Sequence, residues 1–145
     1  MTAFSTTRYL AASPTEVFAA IKDPERLAKW WGPNGFVNRF EIFEFQPDGR
    51  WTFTMIGPNG TLYPNESVFT SIETDRQVVL RHVCPPYFQL TISLEPLAGG
   101  TQLCWDQEFD DVAVAQAVEH IVVPANEQNL DRLSAELGLN RIAAT

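Results

Sequence analysis

Three turn-forming segments divide the middle of the chain, and they limit what it can fold into more than any other feature. They are Pro47-Asp48-Gly49, Gly57-Pro58-Asn59-Gly60 and Ala98-Gly99-Gly100, whose residue types favour tight reversals of the backbone. The stretches around them have strand lengths, which predicts strands over 4–11, 37–46, 50–56, 61–72, 76–83, 88–96 and 101–109. Short connections favour antiparallel pairing, so these strands should form a meander.

Alternation of apolar and polar residues gives this sheet one buried and one wet face. The predicted inward side chains are Trp51, Phe53, Met55, Val78, Leu80, His82, Leu90, Ile92, Leu94, Leu103, Trp105, Gln107 and Phe109. In 37–46 aromatic residues occur at both parities, and in 61–72 apolar residues do, so the faces of these two strands stay unassigned.

Two short helices are predicted between the first and second strands. Ser13 caps the first helix, Pro14 is its first residue, and Glu16 completes a capping box. Asp23-Pro24 begins the second helix, which must end at or before Gly32-Pro33.

A long helix is predicted from Asp110-Asp111 to about Leu137, with Gly138 as its stop. One stripe at helical spacing should cover the apolar sheet face; it contains Val118, Val122, Asn126, Leu130, Leu133 and Leu137. Pro124 removes the bond to the carbonyl of His120 and predicts a kink. A kinked helix over a curved sheet would leave a cavity.

The length and net charge of the chain indicate how many domains it forms and which partners are not expected. A chain of 145 residues fits a single domain, 1–145. The net charge of −8, without a cluster of Lys or Arg, argues against a nucleic-acid partner. Without an 18-residue apolar run or a leader-like pattern in 1–10, we expect a cytoplasmic protein with no membrane insertion.

No cofactor and no metal are expected. Cys84 and Cys104 should be too far apart along their strands to form a disulfide, and neither has His or Cys at ligand spacing. The sequence also lacks a phosphate-binding glycine loop and a His-Glu-x-x-His motif. No catalytic residues are assigned.

The adjacent Trp30 and Trp31 stand where the second helix ends. Neighbouring helical residues point in different directions, so both rings cannot fill one core position. Either one ring faces a cleft or solvent, or both close the edge of the sheet.

His82, Gln107 and Asn126 are polar residues predicted to face an apolar interior. A hairpin about Cys84–Tyr87 would pair His82 with Leu90, and the next hairpin would pair Leu90 with Gln107. Buried polar groups need partners, so the three are either satisfied structural groups or the polar part of a wet or ligand-filled cavity.

Other titratable residues are expected to be solvated. Glu44 and Glu66 lie on the two unassigned strands, where a solvated face is the stronger expectation and a desolvated proton acceptor the alternative. His120 is off the apolar stripe and should be exposed or at the mouth of the cavity.

The order of elements resembles the helix-grip superfamily, also called SRPBCC, START or Bet v 1-like. Within it, the chain resembles the branch named for the C-terminal domain of the Hsp90 ATPase activator Aha1. The matching segments are 23–27 leading to Trp30-Trp31-Gly32-Pro33, then 47–55, 57–63 and 129–133. The resemblance implies an α+β fold, a curved antiparallel sheet of about seven strands around a long C-terminal helix, with a hydrophobic cavity between them.

Related families bind lipids, sterols, polyketides or plant hormones, and some are cyclases or dehydratases. The chain has no counterpart of the activator's separate N-terminal domain, so an Hsp90 partner is not expected. The sequence thus favours a binding protein for an apolar or aromatic small molecule. The alternatives are a cyclase or dehydratase that uses His82 or a cavity carboxylate, and a chaperone partner or other protein-interaction module; a homodimer is also left open.

The predicted ligand-binding residues divide into three groups. The entrance contains Trp30, Trp31 and Phe36; the walls contain Trp51, Phe53, Met55, Trp105 and Val122; the polar groups are His82, Gln107 and Asn126.

Overall fold

Strands that are consecutive in the chain are neighbours in the sheet, except that the first strand pairs with the last. A computed structural model describes residues 2–139. Its elements are β1 (Thr2–Leu10), α1 (Pro14–Lys22), α2 (Pro24–Trp30), β2 (Val37–Phe43), β3 (Arg50–Ile56), β4 (Leu62–Glu73), β5 (Gln77–His82), β6 (Phe88–Leu97), β7 (Gly100–Phe109) and α3 (Val112–Glu136). The sheet is antiparallel with strand order β1-β7-β6-β5-β4-β3-β2, which confirms the predicted meander and α+β class.

The two short helices begin where their caps predict. Glu16 N donates to Ser13 Oγ over 3.1 Å, and Ser13 N donates to Glu16 Oε1 over 3.0 Å, which forms the capping box. Asp23 caps α2 in the same manner, since its carboxylate accepts from Glu25 N at 3.0 Å. Both caps supply acceptors to backbone N–H groups that lack a partner within the helix.

One face of the sheet carries the core, as the alternation predicts. Its buried side chains on the strands include Trp51, Phe53, Val78, Leu80, Leu90, Ile92, Leu94, Leu103, Trp105 and Phe109. The buried polar side chains His82 and Gln107 share this face.

Two β-bulges explain why β2 has aromatic residues, and β4 apolar residues, at both parities. The β2–β3 register shifts between Phe40 and Ile42, and the β4–β5 register shifts between Phe69 and Ser71. A bulge inserts one residue and exchanges the inward parity. Phe40 and Phe43 therefore both pack against Trp51, at 5.4 and 5.9 Å between ring centroids.

The predicted pairing of His82 with Leu90 is wrong. His82 pairs with Phe88, and Leu80 pairs with Leu90, whereas Leu90 does pair with Gln107 as predicted. The turn is centred one residue earlier than predicted, which shifts the register by two residues. A two-residue shift keeps the parity, so His82 stays on the inner face.

Helix α3 covers the sheet unevenly. Asp111 caps it, because its carboxylate accepts from Ala113 N at 2.8 Å, and the helix continues through Pro124 to Glu136. Its buried residues are Ala115, Asn129, Leu130 and Leu133, whereas Val118, Val122, Asn126 and Leu137 of the predicted stripe are only half-buried. Of the buried residues, Asn129, Leu130 and Leu133 lie in the C-terminal third of the helix. Most of the helix before them therefore covers the sheet without packing closely on it.

None of the helices between residues 2 and 139 is both long enough and apolar enough to cross a membrane.

Two turn glycines provide a test of the backbone geometry. At Gly49 an added Cβ would overlap the carbonyl oxygen of Glu44 and lie 2.8 Å from that of Gln46, and Gly49 N already bonds to Gln46 O. At Gly60 an added Cβ would meet nothing within 4 Å, but φ is +84°, a conformation that costs an L-residue about 1 kcal/mol.

We expect Gly60→Ala to lower the free energy of unfolding by about 1 kcal/mol, and Gly49→Ala by about 3 kcal/mol or more, because its clash is with backbone. Urea denaturation of both variants measures the difference. Equal losses would contradict this account of Gly49.

Candidate functional site: a cavity between the sheet and the long helix

A cavity of about 270 Å³ lies between the inner face of the sheet and α3. Strands β3 to β7 form its floor, α3 forms its roof, and the segment after α2 closes one side. Its wall contains Trp31, Gly32, Pro33, Phe53, Met55, Asn65, Ser67, Leu80, His82, Pro86, Phe88, Leu90, Trp105, Gln107, Ile121, Val122, Ala125, Asn126 and Asn129. Ile121, which is 59% exposed, and Pro86 are the exposed residues of the wall, so the cavity reaches solvent beside them.

The two adjacent tryptophans point into different surroundings. Trp30 is 1% exposed, and its Nε1 donates to Ala20 O over 2.9 Å, so it is a core residue. Trp31 is half-buried and lies on the cavity wall, 5.6 Å from the ring of Trp105. The structure therefore shows the first of the two predicted arrangements, in which one ring faces a cleft and the other lies in the core.

Segment 31–36, which follows α2, is fastened to α3 by side chains of the helix. The guanidinium of Arg132 donates to the carbonyl oxygens of Lys29, Trp31, Gly32, Pro33 and Phe36 over 2.8–3.1 Å. Burial lowers the pKa of Arg132, and the carbonyl dipoles take the place of the water that burial removes.

Asn129 completes this attachment. Its Nδ2 donates to Trp30 O over 2.9 Å, and its Oδ1 accepts from Gly32 N at 3.2 Å. The sequence indicates no role for Asn129 or Arg132, because their partners are backbone groups about a hundred residues away. Only the run of polar residues on the apolar part of α3 could have drawn attention to them.

His82 is 6% exposed and has a partner at each ring nitrogen. Nδ1 lies 2.7 Å from Pro86 O, so Nδ1 carries a proton and donates it to that carbonyl. Nε2 lies 2.8 Å from Asn65 Oδ1 and 3.5 Å from Cys84 Sγ. Phe88 stacks on the ring at 4.6 Å between centroids.

These contacts give His82 a partner in either protonation state. In the neutral ring, Nε2 accepts from the Cys84 thiol; in the charged ring, Nε2 donates to Asn65 Oδ1. Desolvation lowers the pKa of His82 below its usual 6.5, and the Pro86 carbonyl opposes this in part. The thiol beside His82 was not predicted, although the spacing of two residues in the sequence could have suggested it.

Gln107 and Asn126 join the sheet to the roof of the cavity. Asn126 Nδ2 donates to Gln107 Oε1 over 3.0 Å. The three polar residues predicted to converge thus all lie on the cavity wall.

The structure brings most of the predicted site residues together and separates the others. On the cavity wall it places Trp31, Phe53, Met55, His82, Trp105, Gln107, Val122 and Asn126. Outside the wall are Trp30, in the core, Trp51, whose ring stacks on Phe53 at 4.4 Å, and Phe36, which contacts Tyr63 at 5.8 Å. Ligand binding by any of them stays a prediction.

The remaining candidates point away from the cavity. Glu44, Glu66 and His120 are exposed, as expected for solvated side chains. Cys84 and Cys104 are both free thiols. The part of the chain that the structure describes brings no three His, Cys, Asp or Glu side chains into an arrangement that could hold a metal ion.

An antiparallel sheet that grips a long C-terminal helix over an open cavity defines the helix-grip class. The sequence profile of the "Activator of Hsp90 ATPase homolog 1-like protein" family matches residues 11–138, so the chain belongs to this family.

Solved structures of bacterial proteins share the fold. A protein from Arthrobacter aurescens is 25% identical, with a TM-score of 0.87 over 94% of this chain and 86% of the other. A protein from Nitrosomonas europaea is 18% identical, with a TM-score of 0.86 over 94% of each chain. An AHSA1 protein from Silicibacter pomeroyi is 23% identical, with a TM-score of 0.76 over 94% and 98%. Among curated proteins, none matches the chain.

The lowered pKa of His82 predicts how stability depends on pH. Below pH 6.5 the unfolded chain takes up a proton at His82 more readily than the folded protein does, so the free energy of unfolding should fall as pH drops through this range. Urea denaturation at about pH 7.5 and about pH 5.5 measures that fall, which His82→Gln should reduce.

The matched control is His120→Gln, which changes the exposed histidine and should keep the pH dependence of the unmodified protein. An unchanged dependence in His82→Gln would show that this ring is not held neutral by burial.

Proposed function

We propose that the protein binds a small apolar or aromatic molecule in the cavity between sheet and helix. One observation carries the proposal: the cavity has a mostly apolar wall with a few inward polar groups and an opening to solvent at Ile121. Small-molecule sites in proteins have this composition. We also propose that the protein is cytoplasmic.

The volume of the cavity limits the size of the ligand. A cavity of about 150 Å³ in another protein holds benzene. By the same measure, 270 Å³ has room for a molecule with two small fused rings.

The charge of the wall limits the chemistry of the ligand. None of the described wall residues is Asp, Glu, Lys or Arg, and burial keeps His82 towards its neutral form. A charged ligand would lose its hydration without gaining an opposite charge, which is strongly unfavourable. The ligand is therefore uncharged.

The ligand reaches the cavity beside the N-terminal half of α3 rather than through segment 31–36. That segment is fixed to α3 by Arg132 and Asn129, whereas Ile121 is exposed and Val122 and Ala125 are half-buried on the wall. The bond between Asn126 Nδ2 and Gln107 Oε1 joins helix and sheet next to this opening.

An enzyme that moves a proton is the second candidate, favoured by the partners of His82. Its Nε2 faces a thiol and an amide oxygen within 3.5 Å, so the ring can hold or release a proton at the cavity wall. Loss of turnover in His82→Gln with unchanged ligand affinity would favour this candidate over simple binding.

Filling the cavity tests the proposal. Ala125→Phe places a ring in the cavity, whereas Ala117→Phe makes the same change at an exposed position of α3. We expect Ala125→Phe to weaken binding of tetralin, a neutral two-ring hydrocarbon, about tenfold or more, and Ala117→Phe to leave it unchanged.

NMR titration of the folded proteins measures both affinities. Equal affinities for the two variants, or no binding of tetralin to the unmodified protein, would contradict a ligand site in this cavity. Native mass spectrometry of freshly purified protein adds the mass of any compound bound in the cell.

A further inference from the structure

A free thiol lies against the buried ring of His82. Cys84 follows the last residue of β5 by two positions and is half-buried. Its Sγ is 3.5 Å from His82 Nε2, and His82 is 6% exposed. A thiol beside an imidazole can pass its proton to the ring, which leaves the thiolate, the form of cysteine that attacks carbon electrophiles.

Pairing between β4 and the end of β5 holds this thiol in place. Ser67 pairs with His82, and beyond this pair Val83 N donates to Glu66 O over 2.9 Å. The same carbonyl oxygen lies 3.9 Å from Cys84 Sγ. The distance between the thiol and the ring is therefore set by backbone that belongs to the sheet.

Both nitrogens of the ring face oxygen acceptors. Nδ1 lies 2.7 Å from Pro86 O, and Nε2 lies 2.8 Å from Asn65 Oδ1. The amide of Asn65 is oriented by its Nδ2, which donates to Tyr63 O over 2.9 Å, so the oxygen of this amide faces the ring. A neutral ring can donate to only one of the two oxygens, whereas a ring that has taken the thiol proton donates to both.

Charged side chains do not compete for this proton. Among residues 2–139, no Asp, Glu, Lys or Arg side chain bonds to His82 or Cys84. Arg81, which precedes His82 on β5, is paired with Asp110, and Glu66 on β4 is exposed. Transfer of a proton from the thiol to the ring leaves the pair without net charge, so burial opposes it less than it opposes uptake of a proton from water.

We propose that Cys84 is a site of covalent attachment for small, uncharged α,β-unsaturated carbonyl compounds, with His82 as the base that takes the thiol proton. In this addition Sγ forms a bond to the β-carbon, the carbon–carbon π bond breaks, and its electron pair moves to the carbonyl oxygen as an enolate. His82 Nε2 then returns the proton to the α-carbon. One thiol has added across one double bond, without an oxidant or a reductant.

This class of electrophile uses both members of the pair. An addition consumes the proton that the ring has taken, whereas displacement of a leaving group would leave the buried ring charged. The net charge of −8 disfavours anionic electrophiles. The inference concerns the thiol and its base, and it does not depend on the proposed binding of a ligand in the cavity.

The rates at which acrylamide adds to the two cysteines test the inference. Cys104 is a matched control in the same molecule, because it is also a half-buried free thiol and neither histidine bonds to it in the described chain. Peptide mapping by mass spectrometry measures both rates at about pH 7 and about pH 9.5, on either side of the usual pKa of a thiol. The ratio of the two rates at one cysteine cancels its accessibility.

A thiol that ionises unaided reacts about thirtyfold faster at the higher pH, because only a few per cent of it is thiolate at about pH 7. We expect this gain at Cys104. At Cys84 we expect a gain of about threefold or less, since the ring already takes the proton at neutral pH. Equal gains at the two cysteines would overturn the inference.

Replacement of each histidine identifies the base. In His82→Gln the gain at Cys84 should rise to about thirtyfold, because glutamine cannot take the proton, whereas His120→Gln should leave the gain small. A small gain that persists in folded His82→Gln would also overturn the inference. The comparison of the two cysteines in the unmodified protein needs no substitution, so the test remains decisive if His82→Gln does not fold.

Discussion

The bonds from Arg132 and Asn129 to the backbone of segment 31–36 fix the position of the long helix, and the cavity depends on them. They hold the C-terminal part of α3 against α2 and the segment after it. Leu130 and Leu133 lie on the same part of the helix and are fully buried. The part nearer Pro124 is attached by fewer bonds, from Asn126 to Gln107 and from Arg8 to Glu127, and its inward side chains are only half-buried. The cavity thus lies under the part of the helix that packs least closely on the sheet.

The sequence predicts the elements that depend on local chemistry. Ser13, Asp23 and Asp111 cap helices where expected, and the alternation in β3, β6 and β7 assigns the faces correctly, because period and capping are properties of neighbouring residues. The faces of β2 and β4 could not be assigned, because each bulge depends on the partner strand. The pairing of His82 was wrong by two residues for a related reason, since a turn can shift without changing which side chains face inward.

The residues of the candidate site likewise fall into those that could be predicted from the sequence and those that could not. His82, Gln107 and Asn126 stand out because each is polar at an apolar position, and the structure places all three on the wall. Trp51 shares the inward parity of Phe53, but parity does not tell a wall residue from a core residue. Asn129 and Arg132 bond to backbone carbonyls and an N–H about a hundred residues away, and such partners leave no pattern in the sequence.

A hollow of this size has an energetic consequence for the whole domain. At roughly 24 cal/mol per Å³, leaving 270 Å³ without packed protein atoms would cost at most about 6.5 kcal/mol, comparable with the entire stability of many domains, ~5–15 kcal/mol. The surrounding side chains do not collapse into it, because the floor strands are fixed by pairing and the roof by Arg132 and Asn129. A molecule that fills the hollow restores the lost packing contacts. Stability and occupancy are therefore linked, and any ligand that fits this cavity also stabilises the fold.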